Sequence, residues 1–212
     1  MSRTRIKICG ITREEDLRAA VECGADALGF VFYEASPRFV PPPRAAELVR
    51  QLPPFVSAVG LFVDAAQAFI ASTLETVQLD LLQFHGDEAA AECRRYQRPY
   101  IKAARVRQEL DLVEYAALFP DARGLLLDAF VEGYGGGGKG FDWSLIPPAM
   151  PLPLILAGGL DEHNVGRAIE RVRPWAVDVS SGVEVAKGIK DAARMARFVA
   201  GVRNADNRHP LL

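Results

Sequence analysis

Cysteine is scarce in this sequence. Its 212 residues hold three, Cys9, Cys23 and Cys93. An odd number without CxxC spacing indicates neither a disulfide framework nor a zinc site. Long hydrophobic runs are missing too: no stretch approaches the roughly 18–20 apolar residues of a membrane span. There is no basic excess, since 25 Lys and Arg face 27 Asp and Glu for a net charge of -2. That argues against nucleic acid or an anionic membrane as partner. The opening Met-Ser-Arg-Thr-Arg-Ile-Lys lacks the apolar stretch of a secretory signal, so a reducing cytoplasm is the expected compartment. Half the residues are hydrophobic, too many for a disordered chain. The length suits one well-buried core and is short for two. Glycine is the residue in good supply: there are 18, six of them between Gly133 and Gly140.

Short runs rich in Val, Ile, Leu and Phe alternate with stretches of helical spacing. The expected strands are Arg5 to Cys9, Ala27 to Phe32, Ser57 to Val63, Leu81 to Phe84, Tyr100 to Val106, Gly124 to Phe130, Leu152 to Ala157 and Ala176 to Ser180. They recur about every 20–30 residues, the spacing of βα units. Between them, Arg13 to Cys23 reads as a helix capped by Thr12, with Glu15 completing a capping box. Asp64, Asp87 and Asp161 are expected caps for helices over Ala65 to Glu75, on to Tyr96, and through Val172. Lys190 to Val202 is amphipathic, whereas Pro147 and Pro148 leave at most one turn between Trp143 and Met150. Eight such units predict a single α/β domain, a (β/α)8 TIM barrel over residues 1–203 near the lower size limit of about 200 residues. A loose tail is expected at 204–212. A doubly wound open sheet is the alternative fold.

Barrel strands should be apolar, so polar residues at their carboxyl ends are informative. In strand one Ile6 and Ile8 share one face, and Lys7 and Cys9 the other. The apolar face should meet helices, which turns Lys7 and Cys9 inward, with Cys9 at the top. Strand six runs Leu-Leu-Leu into Asp128. Cys9 and Asp128 form a candidate acid/base pair, since a thiolate can take a proton and a neutral carboxyl can give one. A small core residue and a satisfied structural carboxylate are the alternatives. Gly158-Gly159 and Ser180-Ser181-Gly182 end strands seven and eight, where barrels often bind phosphate through backbone N–H groups. Arg38, after strand two, can clamp a carboxylate bidentately. His85, after strand four, either meets a ligand or finishes a turn. Cys23 and Cys93 fall in helical patterns and read as packing.

The glycine cluster fits GxxxxGK at Gly133 to Lys139, but Gly140 stands where a P-loop needs Ser or Thr, and no long helix follows. A mobile loop beside Asp128 is the better reading, with a flexible linker as the alternative.

The chain resembles the phosphoribosylanthranilate isomerases, enzymes of tryptophan biosynthesis. The likeness extends from Lys7 to about Phe198. It rests on Lys7-Ile-Cys-Gly-Ile-Thr12, Gly24-Ala-Asp-Ala-Leu-Gly-Phe30, Ser36-Pro-Arg38, Val59-Gly-Leu-Phe-Val63, Gln83-Phe-His-Gly86, Leu127-Asp-Ala129, Gly138-Lys-Gly-Phe-Asp-Trp143, Leu156-Ala-Gly-Gly-Leu160 and Asp178-Val-Ser-Ser-Gly-Val-Glu184. Gly137 replaces a common Thr and Phe84 a common Leu; neither touches the candidate acid or base.

The resemblance implies a barrel of the ribulose-phosphate-binding type and an Amadori rearrangement of N-(5-phosphoribosyl)anthranilate to 1-(2-carboxyphenylamino)-1-deoxyribulose 5-phosphate. It implies Cys9 as general base, Asp128 as general acid and Arg38 at the anthranilate carboxylate. Lys7, His85 and Asp178 would join the substrate site, and Gly158, Gly159, Ser180, Ser181 and Gly182 would hold the phosphate. An iminium intermediate acidifies the sugar C–H by itself, so neither metal nor cofactor is expected. The expected partner is a small phosphosugar, with no nucleic acid or membrane, and the chain is expected to be a monomer or homodimer.

Lys7 faces the interior and cannot remain charged there unpaired. Strand eight neighbours strand one in a closed barrel, so Asp178 is its expected partner, with the positive charge favouring Cys9 thiolate. Rival readings are the sister isomerase of histidine biosynthesis, a phosphosugar-binding barrel without activity, and a P-loop protein. The first is disfavoured because that family looks to use Asp where Cys9 stands.

Overall fold

The computed structural model describes residues 3–129 and 141–208. Eight parallel strands close into a barrel in chain order: β1 Arg5–Cys9, β2 Ala27–Val31, β3 Ser57–Phe62, β4 Leu81–Phe84, β5 Tyr100–Val106, β6 Leu125–Ala129, β7 Leu154–Leu156 and β8 Ala176–Val179. β8 returns to β1, pairing Arg5 with Ala176, Ile6 with Val177, Lys7 with Asp178 and Ile8 with Val179. The open-sheet alternative is thereby excluded. The glycine cluster, with the loop expected there, lies outside the described residues.

Strand alternation sorts the side chains into two layers. Ile6, Ile8, Leu28 and Phe30 join the large core between strands and helices. The inward set is smaller. Ile101, Ala103, Leu126, Ile155, Ala157 and Ala176 fill one part of the barrel, and Cys9, Val31, Leu61 and Val63 another. Gly29 makes room between them, since a methyl there would sit 2.7 Å from Cys9 Sγ and 3.1 Å from Lys7 Nζ.

The helices are α1 Glu14–Cys23, α2 Pro42–Val49, α3 Gln67–Thr76, α4 Ala90–Arg94, α5 Leu112–Ala117, α6 Val165–Val172 and α7 Ala192–Arg208. Trp143–Leu145 makes the single turn that the prolines allow. Four expected caps are displaced. Thr12 donates instead to the Gly188 carbonyl at 2.7 Å, and α1 begins without a side-chain cap on acidic Glu14, Glu15 and Asp16, which suit its positive end. Asp64 accepts from Asp87 N–H, while α3 starts only at Gln67. Asp87 is not the cap of α4, where the Glu92 carboxylate accepts from Ala89 N–H at 2.7 Å. Asp161 accepts from His163 and Asn164 N–H a turn before α6.

The last βα connection also differs. Lys190 belongs to a two-stranded hairpin, β9 Glu184–Ala186 with β10 Ile189–Lys190, and not to the final helix. The helix then runs through Arg208, so Asn204 to Arg208, expected to be loose, are helical. Asp206 accepts from Thr4 N–H at 2.9 Å and Thr4 Oγ1 at 2.7 Å, tying α7 to the first strand.

Candidate active site

The carboxyl ends of the strands surround a cleft. Cys9, Arg38, His85, Asp128, Asp178 and Ser180 all line it, with Val31, Tyr33, Leu61, Val63 and Gln83. Cys9 ends β1. Beneath it Lys7 Nζ donates to Asp178 Oδ1 at 2.9 Å, the contact that the β1–β8 register dictates. Burial works against the Lys7 ammonium, but Asp178 and Cys9 beside it prevail and hold its pKa above the ordinary lysine value.

Cys9 answers to opposed influences. Burial pushes its thiol up, Lys7 and Lys190 pull it down, Asp178 pushes it up, and the net displacement is upward. The Lys7–Asp178 pair is therefore present as expected, but its cation does not by itself make Cys9 a ready thiolate. The pair is close to neutral overall, and the thiol is desolvated.

On the opposite side, Asp128 near the end of β6 accepts from Ala129 N–H at 2.8 Å, and its other oxygen lies 3.2 Å from His85 Nε2. Gln83 Nε2 lies 3.0 Å from His85 Nδ1. The Nε2 contact is not aligned as a hydrogen bond, so His85 Nε2 and Gln83 Oε1 are buried polar atoms without one among the described residues. Both belong to cleft-lining residues, which suits polar ligand contacts.

Arg38 departs from the expected free clamp. Its Nε and one terminal nitrogen each donate to Glu184 at 2.8 Å, a buried bidentate pair. Three of its five N–H donors remain for a ligand. Burial tends to raise the Glu184 pKa, but Arg38 and Lys190 prevail and hold it below the ordinary glutamate value. Lys190, whose side chain is 0% exposed, donates to Glu184 Oε1 at 2.8 Å and to the Cys9 carbonyl at 2.5 Å.

The two glycine turns adjoin. Gly158 and Gly159 have φ of 75° and 68°, a region open mainly to glycine. A methyl on Gly158 would meet Ala129 N at 2.4 Å, and one on Gly182 would meet the Leu160 carbonyl at 1.9 Å. Gly158, Gly159, Ser181 and Gly182 are partly exposed. The Ser180 hydroxyl, expected to serve a phosphate, donates instead to the Cys9 carbonyl at 3.0 Å.

Sequence reading missed Gln83, Glu184 and Lys190 as site residues. Gln83 and Glu184 lay inside recognised motifs without a role. Lys190 was absorbed into a helix pattern, although Lys187-Gly188 carried a turn signal. Lys102, another buried cation, pairs with Glu88 at 2.8 Å away from the cleft. Cys93 is buried, its thiol pushed up to about 12 by burial, in keeping with a packing role.

The chain is similar to known proteins over almost its whole length. Residues 6–201 match the family described as N-(5'phosphoribosyl)anthranilate (PRA) isomerase. The N-(5'-phosphoribosyl)anthranilate isomerase of Dechloromonas aromatica (strain RCB) is 65% identical over 204 residues, covering 96% of this chain and 98% of that protein. The phosphoribosyl anthranilate isomerase of Thermotoga maritima superposes with a TM-score of 0.87 at 44% identity, over 95% of this chain and 99% of the other. Another solved isomerase, in complex with reduced 1-(o-carboxyphenylamino)-1-deoxyribulose 5-phosphate, has a TM-score of 0.84 at 42% identity, again over 95% and 99%. By sequence and by fold, the chain belongs to the phosphoribosylanthranilate isomerase family.

Proposed function

We propose that the cleft carries out the Amadori rearrangement of N-(5-phosphoribosyl)anthranilate in tryptophan biosynthesis, with Asp128 as general acid and Cys9 as general base. The observation that carries this reading is that both residues line one cleft, at the ends of β1 and β6. A protonated Asp128 gives its proton to the furanose ring oxygen, and the ring opens to an iminium. The cationic nitrogen makes the C2′ proton acidic, Cys9 thiolate removes it, and an enolamine forms. Tautomerisation yields the aminoketose, so atoms and charge balance without an external reactant. His85, beside Asp128, presents Nε2 to the same region.

The remaining Arg38 donors meet the anthranilate carboxylate, a charge-assisted contact whose geometry Glu184 fixes. The Gly158-Gly159 turn, Ser181 and Gly182 hold the phosphate, and Ser180 acts indirectly through the Cys9 carbonyl. Lys7 and Asp178 underlie the sugar. The solved relative bound to a reduced product analogue supports a phosphosugar ligand for this cleft. The chain works as a monomer or homodimer.

The test is an isomerase assay with freshly made phosphoribosylanthranilate, followed through loss of its fluorescence. Wild type should turn over, while Cys9→Ala and Asp128→Ala should each lose more than about a hundredfold with the fold intact. Turnover by the double variant would refute the mechanism. Binding without turnover in wild type would favour a phosphosugar-binding protein.

A further inference from the structure

Glu184 and Lys190 sit opposite each other across the β9–β10 hairpin. The hairpin is anchored to the first βα unit, where Gly188 accepts from Thr12 Oγ1 in the connection and Lys190 N–H donates to Asp16 of α1 at 3.1 Å. A cation as buried as Lys190 is costly unless every proton finds an acceptor. Its ammonium has four within reach: the Cys9 carbonyl at 2.5 Å, Glu184 Oε1 at 2.8 Å, the Ser180 carbonyl at 3.2 Å and Ser180 Oγ at 3.3 Å. An ion pair with Glu184 alone would leave two of the three protons without an acceptor. The shortest contact is to the backbone of the base itself.

We propose that Lys190 is a positioning residue for Cys9, clamping the carboxyl ends of β1 and β8 together and placing a positive charge behind the thiol. The inference rests on the reading of Cys9 as general base. Charge around the thiol supports it. Lys7 on the same strand and Asp178 on β8 cancel each other. Burial lowers the Lys190 pKa against the pull of Glu184, and with Lys190 protonated, Arg38 from the β2–α2 connection, Glu184 and Lys190 together leave one positive charge, while His85 and Asp128 face Cys9 across the cleft. Loss of the Cys9 proton therefore brings the base side to neutrality. Lys190 is also among the groups that pull the thiol pKa down against burial.

The test measures the Cys9 thiol directly. Iodoacetamide labelling is followed across pH by mass analysis of the Cys9 peptide, beside kcat and KM. In Lys190→Met, and in Lys190→Gln, which keeps two N–H donors without charge, the labelling curve should move up by about one pH unit. A unit corresponds to about a tenfold fall in kcat at neutral pH, and KM should change little. Lys190→Arg should bring the curve back toward wild type. Uncharged variants that fold and label like wild type would overturn the proposal. So would failure of both to fold, because Lys190 would then serve the barrel and not the base. An active Cys9→Ala would refute the base assignment itself, while the labelling curves still report whether Lys190 acts on the thiol.

Discussion

Cys9 works against its surroundings, because the burial that shields it from bulk water also disfavours its charged form. A base whose thiol lies above its ordinary pKa is mostly protonated at neutral pH. The sign follows: the rate of Cys9 alkylation should climb as pH rises through neutrality, toward tenfold per unit, and should not have levelled by about pH 8. A flat profile between pH 6 and 8 would mean that Lys7 and Lys190 outweigh burial and the thiolate is already formed. Gly29 is the second residue on which the base depends. Gly29→Ala should cost about 1–3 kcal/mol by overpacking, because the new methyl must displace Cys9 Sγ or Lys7 Nζ. Urea unfolding reads that cost. The same variant should lose activity beyond its loss of stability, and an active, destabilised Gly29→Ala would show that the thiol tolerates being moved.

Among the elements, strands were far more legible than helices. Leu81–Phe84 and Tyr100–Val106 fall where their apolar runs place them, since a barrel strand buried on both faces is marked by composition alone. Helix starts depend on one side chain choosing one partner. Thr12 chose Gly188 over α1, and Asp64 chose Asp87 over α3, choices made by residues far along the chain. α2 and α5, of eight and six residues, are not among the helices read from the sequence. In the site, Cys9 and Asp128 could be read because they break an apolar strand. Lys190 could not, because its role exists only once the hairpin folds over β1. The end of α7 was misread for a similar reason: its partner, Thr4, is 202 residues away. Asp206→Ala should therefore destabilise the protein by about 2 kcal/mol, the range for hydrogen bonds to a charged acceptor. Truncation after Arg203 should cost at least as much, since it also removes buried Ala205. Unchanged urea midpoints for both would mean that the tie contributes nothing.

For the whole molecule, the seam between β1 and β8 joins the demands of closure and catalysis. A barrel without function would fill that seam with apolar pairs, yet Lys7 and Asp178 stand there with side chains 6% and 9% exposed. Breaking a buried ion pair from one side leaves an uncompensated charge, so Lys7→Met or Asp178→Leu should each cost about 3–5 kcal/mol. Replacing both together removes the need for compensation, and the double variant should regain most of that loss. Activity should not return with stability. The Cys9 thiol would have lost Lys7, which pulls its pKa down more than Asp178 pushes it up, while remaining buried, leaving Lys190 as the principal positive influence on it. Urea unfolding and kcat/KM on the four members of this cycle separate the two demands. A double variant no more stable than either single would locate the cost outside the pair. A stable double variant with wild-type kcat/KM would make the pair an incidental way of closing the barrel. The expected result, a closed and stable but nearly inactive barrel, would mean that the seam's polarity is retained for the thiol it underlies.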